Sequence, residues 1–356
     1  MKRLRVLIAG GGTGGHVIPA LAIGRELVKQ YGAELCYVGT QRGIETRLVP
    51  EAGFRLELIH VGQLKNVSLK TRLQTLTDLP RGVQRCMALL REFKPDVVVG
   101  VGGYASGPAM MAAILLRVPT VAYEPNAAPG LANRMVGRFV SAAAVNFPET
   151  AKFFRNAEVT GVPVRKEIFE IPAKHDTPPR LLIFAGSQGA RVFNEMMPQI
   201  VNGLLGAVPG LTIVHQAGAR HAESTQAAYM ASGADPSRWK VCAFLDDMPA
   251  QYAAADLVLC RSGSTVAELA AAGKPALLVP FPQAADDHQR KNAEVLAKAG
   301  AAVMRIEVGL TPEDLQEELV DLLLDPARLE EMSARAKAMA KPGAVERIAA
   351  MVQGLV

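Results

Sequence analysis

The sequence predicts an α/β protein: two Rossmann-like domains with parallel sheets facing each other across a cleft. Three observations predict the paired domains. At 356 residues the chain is longer than one core ordinarily fills. Short Val/Leu/Ile runs alternate with glycine turns and Ala-rich amphipathic stretches, as when helices cover both faces of a parallel sheet. A strand–glycine–helix unit near the start is echoed at residues 180–190, a distance suited to a second domain.

The first strand covers residues 5–9 and runs into Gly10-Gly11-Gly12-Thr13-Gly14-Gly15-His16, with a helix expected from Val17. Dense glycines leave backbone N–H groups uncovered, and a helix N-terminus adds partial positive charge, so this turn reads as an anion site. His16 is the group in it able to move a proton near neutral pH. Further strands are expected at residues 34–38, 54–60, 97–101, 120–123 and 142–145. Residues 96–103 repeat the strand-into-glycine pattern before a helix from about Pro108. Between Thr160 and Pro179 the prolines Pro163, Pro172, Pro178 and Pro179 mark an interdomain connection. The second domain opens with the strand and turn of residues 180–190, and its later strands are expected at residues 211–215, 240–244, 257–260 and 276–279. Thr311-Pro312-Glu313 supplies an N-cap, a first-turn proline and an acidic residue, so a helix begins there.

Composition limits the partners. Hydrophobic residues at 49% and charged residues at 21% describe a globular protein. Cys36, Cys86, Cys242 and Cys260 are widely spaced, which suits reduced, buried thiols and neither a disulfide framework nor a zinc site. Lys2, Arg3 and Arg5 resemble the start of a signal peptide, but the apolar run behind them is too short. The apolar stretch at residues 109–116 is far below membrane-spanning length, so a soluble or peripheral protein is expected. A net charge of +5 favours acidic partners: nucleotides, nucleic acid or anionic lipid. At 5% aromatic residues, with no basic-aromatic platform, nucleic acid is disfavoured.

Gly10, Gly12 and Gly15 fit the GxGxxG spacing of dinucleotide-binding folds. That chemistry wants an acid at the end of the second strand, where Gly39-Thr40 stands instead, while Glu34 sits at the wrong end. No Lys-Ser/Thr pair follows the glycines, so a Walker loop is excluded. The segment 256–268 is a better nucleotide site, because the hydroxyls and N–H groups of Ser262, Gly263, Ser264 and Thr265 suit a diphosphate. Glu268 either accepts two hydrogen bonds from a ribose diol or simply complements the helix dipole. Ser187-Gln188-Gly189 adds donors from the parallel loop, and Phe244-Leu245-Asp246-Asp247 can frame a base with backbone groups. Asp246-Asp247 and Asp286-Asp287 lack the spaced form that holds a metal on a diphosphate, and read as capping or surface pairs.

Residues 64–94 place Leu69, Leu73, Leu76 and Leu79 at roughly helical spacing among Lys65, Lys70, Arg72, Arg81 and Arg85. One reading is an ordinary amphipathic helix with its leucines in the core; the other is a basic, apolar face lying on an anionic membrane.

At this point the motifs resemble one family. They are Gly11-Gly12-Thr13-Gly14-Gly15-His16, Gly102-Gly103-Tyr104-Ala105-Ser106-Gly107-Pro108, Glu124-Pro125-Asn126 and Gly161-Val162-Pro163-Val164-Arg165. The series continues with Gly186-Ser187-Gln188-Gly189-Ala190-Arg191, Phe244-Leu245-Asp246-Asp247-Met248, Arg261-Ser262-Gly263 and Glu268-Leu269-Ala270-Ala271-Ala272-Gly273. In this order, over essentially the whole chain, they resemble the family 28 glycosyltransferases that add N-acetylglucosamine to lipid I in peptidoglycan synthesis. The resemblance implies a GT-B fold with an acceptor- and membrane-binding domain at residues 1–163 and a UDP-GlcNAc-binding domain at residues 164–340. A helix at about residues 341–356 is expected to pack back on the first domain. It further implies inverting transfer from UDP-GlcNAc to the C4 hydroxyl of undecaprenyl-pyrophosphoryl-MurNAc-pentapeptide, with no metal and no cofactor.

By matching motif, Thr13, Gly14, Gly15, Asn126, Arg165, Ser187, Leu245, Ser264, Thr265, Val266, Ala267, Glu268 and Gln289 should bind substrate. Within that set Glu268 takes the ribose, Leu245 the uracil, Ser187 and Arg165 the diphosphate, and Asn126 the sugar hydroxyls. His16 and Glu124 are both candidates to deprotonate the acceptor. A lipid-linked acceptor favours the membrane reading of Leu69, Arg72, Leu73, Leu76, Leu79, Arg81 and Arg85, hence a peripheral place on the cytoplasmic face of the cell membrane. Cell-wall synthesis and division proteins are implied partners. The chain departs from the family at Tyr123 and Pro125, keeps only the second amide of a Gln-Gln pair as His288-Gln289, and has a loop at 264–268 one residue shorter than some members. Rival readings are a UDP-GlcNAc 2-epimerase, a diacylglycerol glycosyltransferase, or a nucleotide-sugar sensor without turnover.

Overall fold

The computed structural model describes residues 3–61, 69–172 and 178–356, with backbone alone for residues 69–77. The chain forms two compact units: Met1–Pro163 with Gly343–Val356, and Val164–Pro342.

The first unit contains β1 (Arg5–Ala9), α1 (Gly14–Tyr31), β2 (Glu34–Thr40), α2 (Glu45–Glu51), β3 (Arg55–Ile59), α3 (Leu69–Phe93), β4 (Val97–Gly100) and α4 (Ser106–Leu115). It continues through β5 (Thr120–Glu124), α5 (Leu131–Val136), β6 (Ala142–Val145), α6 (Pro148–Ala151) and β7 (Ala157–Val159). Its strands lie in the order β3-β2-β1-β4-β5-β6-β7, all parallel. Alternation along β1 sends Val6 and Ile8 to one face, with Val17, Leu21 and Leu27 of α1. Leu7 and Ala9 go to the other, with Cys86, Leu89 and Phe93 of α3 and Met110 of α4. A parallel strand buried on both faces needs this continuous apolar run.

The second unit runs through α7 (Lys166–Phe169), β8 (Arg180–Phe184), α8 (Arg191–Ala207), β9 (Thr212–Gln216), α9 (Ala222–Ala231), β10 (Trp239–Cys242), α10 (Met248–Ala254) and β11 (Leu257–Cys260). Then come α11 (Thr265–Ala272), β12 (Ala276–Leu278), α12 (His288–Lys298), β13 (Ala302–Met304), α13 (Pro312–Leu323) and α14 (Pro326–Ala338). The strand order is β10-β9-β8-β11-β12-β13, again all parallel. Leu181 and Ile183 pack with Phe193, Met197, Leu204, Leu257, Leu259 and Leu319. The last helix, α15 (Ala344–Gln353), belongs to the first unit, where Ile348, Ala349 and Val352 join the core beside α1.

The same tie recurs inside each unit. Asp96, just before β4, accepts Arg5 N–H on Oδ2 at 2.9 Å and donates its own N–H to Arg5 O at 2.8 Å. Asp256, just before β11, does the same with Arg180, at 2.8 and 2.9 Å. Each pair locks the first strand of its sheet to the strand across the reversal.

Several boundaries differ from the sequence reading. β2 runs on to Thr40, α1 starts at Gly14 and α4 at Ser106. The unread strands β7 and β13 have three residues each, too few to show a period. In α3 the second half is a core face, with Cys86, Leu89, Leu90 and Phe93 buried. Arg81 lies 3.5 Å from Asp78, and Arg85 lies 3.9 Å from Glu57. Leu79 is half-buried, while the side chains of Leu69, Arg72, Leu73 and Leu76 lie outside the described residues.

Candidate functional site

In doubly wound sheets, ligands bind beyond the carboxyl ends of the strands where strand order reverses. In the second unit the reversal lies between β8 and β11. The turn after β8 holds Ser187 exposed between Gly186 and Gly189, both at positive φ (67° and 69°). A Cβ on Gly189 would lie 2.0 Å from Ala217 O, and one on Gly218 would lie 2.1 Å from Gln188 O. The loops after β8 and β9 thus touch backbone to backbone. Gln216, at the end of β9, donates from Nε2 to Gly186 O at 2.8 Å and to Ala243 O at 3.4 Å. It cross-links the Ser187 turn to the segment carrying Leu245, a role the sequence reading missed.

After β11, Ser262 is buried, and its hydroxyl donates to Gln289 O at 2.8 Å while Asn292 Nδ2 donates to Ser262 O at 3.0 Å. This corrects the sequence reading, because the Ser262 hydroxyl is occupied internally. Ser264 is exposed at the N-cap of α11, with no side-chain cap bond, and Thr265, Val266, Ala267 and Glu268 form the first turn. Gly263 and Ser264 carbonyls take the Val266 and Ala267 N–H groups at 3.4 and 3.1 Å.

Glu268 accepts a hydrogen bond on Oε2 from the buried Tyr252 hydroxyl at 2.9 Å. Burial raises its pKa, opposed by the Tyr252 bond and by the positive charge of Arg165. Arg165 is exposed at the N-cap of α7. Tyr252 therefore fixes one carboxylate oxygen and orients the group. Gln289, in the first turn of α12, accepts Phe281 N–H on Oε1 at 2.9 Å, which leaves its NH2 end as the donor toward a ligand. Leu245 is half-buried between β10 and α10, and Asp247 caps α10 by accepting Ala250 N–H at 3.1 Å. Asp287 lies 2.5 Å from Arg290. A cavity of about 400 Å³ lined by Arg305, Asp314, Glu317, Glu318 and Asp321, among others, contains none of the sequence-selected residues.

In the first unit the reversal lies between β1 and β4. Gly12, Gly102 and Gly103 take positive φ of 93°, 90° and 80°. A Cβ on Gly103 would lie 2.3 Å from Gly11 O, and one on Gly102 would lie 2.8 Å from His16 Cε1. Glycine at both positions lets the two turns meet and lets the His16 ring rest on the second. Thr13 is the exposed N-cap of α1, and Gly14, Gly15 and His16 make its first turn.

A carboxylate does stand at the end of β2, supplied from further along the chain, but it is not the ribose acid that a dinucleotide site wants. Glu45, 1% exposed, accepts N–H from Gly12 and Thr40, both at 2.8 Å, and the Thr40 hydroxyl at 3.0 Å. Turned inward, it is not a ribose ligand.

Glu124 ends β5 and is 3% exposed. It accepts Asn126 N–H at 3.1 Å, Asn126 Nδ2 at 3.0 Å, Gly130 N–H at 2.9 Å and Asn133 Nδ2 at 3.1 Å. Burial raises its pKa, and those four bonds pull it back. Asn126 O accepts the Thr150 hydroxyl at 3.0 Å, and Pro125 O accepts Asn146 Nδ2 at 3.2 Å, so the Tyr123–Asn126 segment is held on both sides.

Residues 6–145 match the glycosyltransferase family 28 N-terminal domain, and residues 180–348 match the family 28 C-terminal domain. A protein of Anaeromyxobacter sp. (strain Fw109-5), named UDP-N-acetylglucosamine--N-acetylmuramyl-(pentapeptide) pyrophosphoryl-undecaprenol N-acetylglucosamine transferase, is 45% identical over 99% of this chain and 94% of its own length. A protein of the same name from Syntrophotalea carbinolica is 44% identical over 97% of both chains. The crystal structure of Acinetobacter baumannii MurG superposes with a TM-score of 0.85 at 33% identity, covering 99% of each chain.

Proposed function

The chain belongs to glycosyltransferase family 28, and on that premise we propose that it transfers N-acetylglucosamine from UDP-GlcNAc to the muramoyl C4 hydroxyl of lipid I, forming lipid II. What carries the reading is the 45% identity to a transferase of that name across 99% of the chain.

The second unit takes the donor. Backbone donors of the Ser187 turn and the α11 N-terminus receive the diphosphate, and Arg165 adds positive charge. Glu268, oriented by Tyr252, accepts the ribose hydroxyls, the Leu245 backbone meets the uracil, and the Gln289 amide donates to the sugar. The first unit takes the acceptor. His16 removes the C4 proton as the hydroxyl attacks the anomeric carbon and UDP departs, with inversion in one displacement. General-base help of this kind is worth about 10²–10⁴-fold. Glu124, already accepting four hydrogen bonds, shapes the 124–133 segment and presents Asn126. Charge on the departing UDP is balanced by helix N–H groups and Arg165, so the residues suffice without a metal.

The lipid anchor of the acceptor puts the enzyme at the cytoplasmic face of the membrane. Among the described residues no helix is long and apolar enough to cross a membrane. On the first unit Leu115, Met135 and Phe139 are 65%, 46% and 67% exposed, beside exposed Arg117, Arg134 and Arg138. These exposed apolar and basic groups at the end of α4, on α5 and just beyond them support peripheral contact with anionic lipid.

Purified protein given labelled UDP-GlcNAc and a lipid I analogue should yield the lipid-linked disaccharide, with or without chelator. Absence of product would reject the proposal, and strict chelator sensitivity would reject its metal-free part. Turnover of UDP-GlcNAc alone would favour an epimerase.

A further inference from the structure

The glycine turn of the first unit looks like a phosphate cradle, yet the Gly12 N–H already faces an anion. The Glu45 carboxylate lies beneath the turn, closed off from solvent, and joins Gly12 to the end of β2 through three hydrogen bonds. Its seat exists because three neighbours lack side chains. A Cβ on Gly11 would lie 2.2 Å from Oε1, one on Gly39 2.5 Å from Cγ, and one on Gly43 1.8 Å from Oε2. A carboxylate serving only the helix dipole would lie in solvent at the first turn of α2. This one is drawn inward, between the carboxyl ends of β1 and β2 and directly under the turn that leads to His16.

We propose that Glu45 is the positioning residue of the acceptor site: a built-in anion that fixes the turn carrying His16 and fills the place a phosphate would take at Gly12. The turn then offers His16 to an uncharged sugar hydroxyl. A second anion at Gly12 would have to share an occupied donor and meet the repulsion of a buried carboxylate. Geometry matters as much as charge. His16 follows Gly12 by four residues and rests on Gly102, so release of Gly12 moves the imidazole. A displacement of about 1 Å can cost about 10²-fold in rate. The catalytic half of this inference rests on His16 as the base; the anion-filling half does not.

The test uses the full-length protein. Glu45→Gln keeps the size and can still accept from Thr40, but its NH2 cannot accept from Gly12 and its charge is gone. With the lipid I analogue, kcat should fall at least tenfold while KM for UDP-GlcNAc and the Kd of UDP change less than twofold. With UDP saturating, inorganic pyrophosphate titrated calorimetrically should bind the variant at least tenfold more tightly than the parent. Unchanged pyrophosphate affinity overturns the anion-filling role, and unchanged kcat overturns the positioning role. Equal losses in kcat and UDP binding would mean a general structural role and also overturn it. The pyrophosphate arm needs no turnover, so failure of the transferase reading is distinguishable from failure of this one. If Glu45→Gln does not fold, Thr40→Val serves: it removes one donor and leaves the carboxylate. It should lower kcat less than fivefold and keep the parent's weak pyrophosphate binding, and tighter binding there overturns the inference.

Discussion

His215 lies on β9 with its ring fully buried, its Nδ1 3.0 Å from the Tyr229 hydroxyl. Burial pushes its pKa down to about 3 from an ordinary 6.5. The unfolded chain therefore takes up a proton below pH 6.5 that the folded chain refuses. The contribution to stability is complete above 6.5 and is lost as pH falls toward 3, by up to about 1.4 kcal/mol per unit. His215→Leu leaves the Tyr229 hydroxyl unpaired and is less stable at pH 8, but it lacks this acid slope. Urea midpoints of the two proteins should converge between pH 8 and pH 5; a constant gap would contradict the assignment. Single residues also show how far the sequence is readable. His16, Ser187, Ser264 and Glu268 lie in Gly/Ser turns right behind apolar runs, so local pattern finds them. Glu45 and Gln216 reach their partners across 33 and 30 residues, and nothing local marks a carboxylate or amide that folding will turn toward a distant turn.

At the scale of elements, legibility follows length and punctuation. The start of α13 was readable from Thr311 as N-cap, Pro312 and Glu313, and the structure adds a reciprocal capping box between Thr311 and Asp314, a device worth about 1 kcal/mol. Three-residue strands such as β7 and β13 carry no such mark, and tertiary pairing alone makes them strands. The amphipathic stretch at 64–94 announced a helix without saying what its faces meet. Folding gives the latter half of α3 to the core, and apolar side chains stand out instead at the end of α4 and along α5. Replacing Arg117, Arg134 and Arg138 together by Glu should abolish binding to anionic vesicles in low salt and leave UDP binding intact. The parent's binding should fade as salt shortens the Debye length to about 8 Å at 0.15 M. Equal vesicle binding by parent and variant would remove this face from consideration.

The molecule as a whole divides at Pro163/Val164 and again at Pro342/Gly343, so the second unit is inserted into the first. The first junction was visible as a cluster of prolines. The return of α15 to the first unit was implied only by family resemblance, because an amphipathic helix of ten residues does not name the surface it covers. Ile348 and Val352 are fully buried there, and exposing them costs about 3–6 kcal/mol. A protein ending at Pro342 should therefore melt at a lower temperature in its first unit while its affinity for UDP stays within twofold. Loss of UDP binding in that truncation would show that the units do not hold their folds separately.

That placement of α15 also sets a schedule. A ribosome makes the seven strands of the first sheet early, then spends roughly 10–35 s on the inserted unit before the helix that completes the first core emerges. Throughout that interval the nascent chain exposes the apolar strip that α15 will cover, so it is then that a chaperone would find a binding surface. The inserted unit, whose own elements are contiguous, can finish folding first. Production of a sound first core thereby waits on the codons for Ala344–Gln353, and a message cut short before them yields a complete second unit joined to an unfinished neighbour.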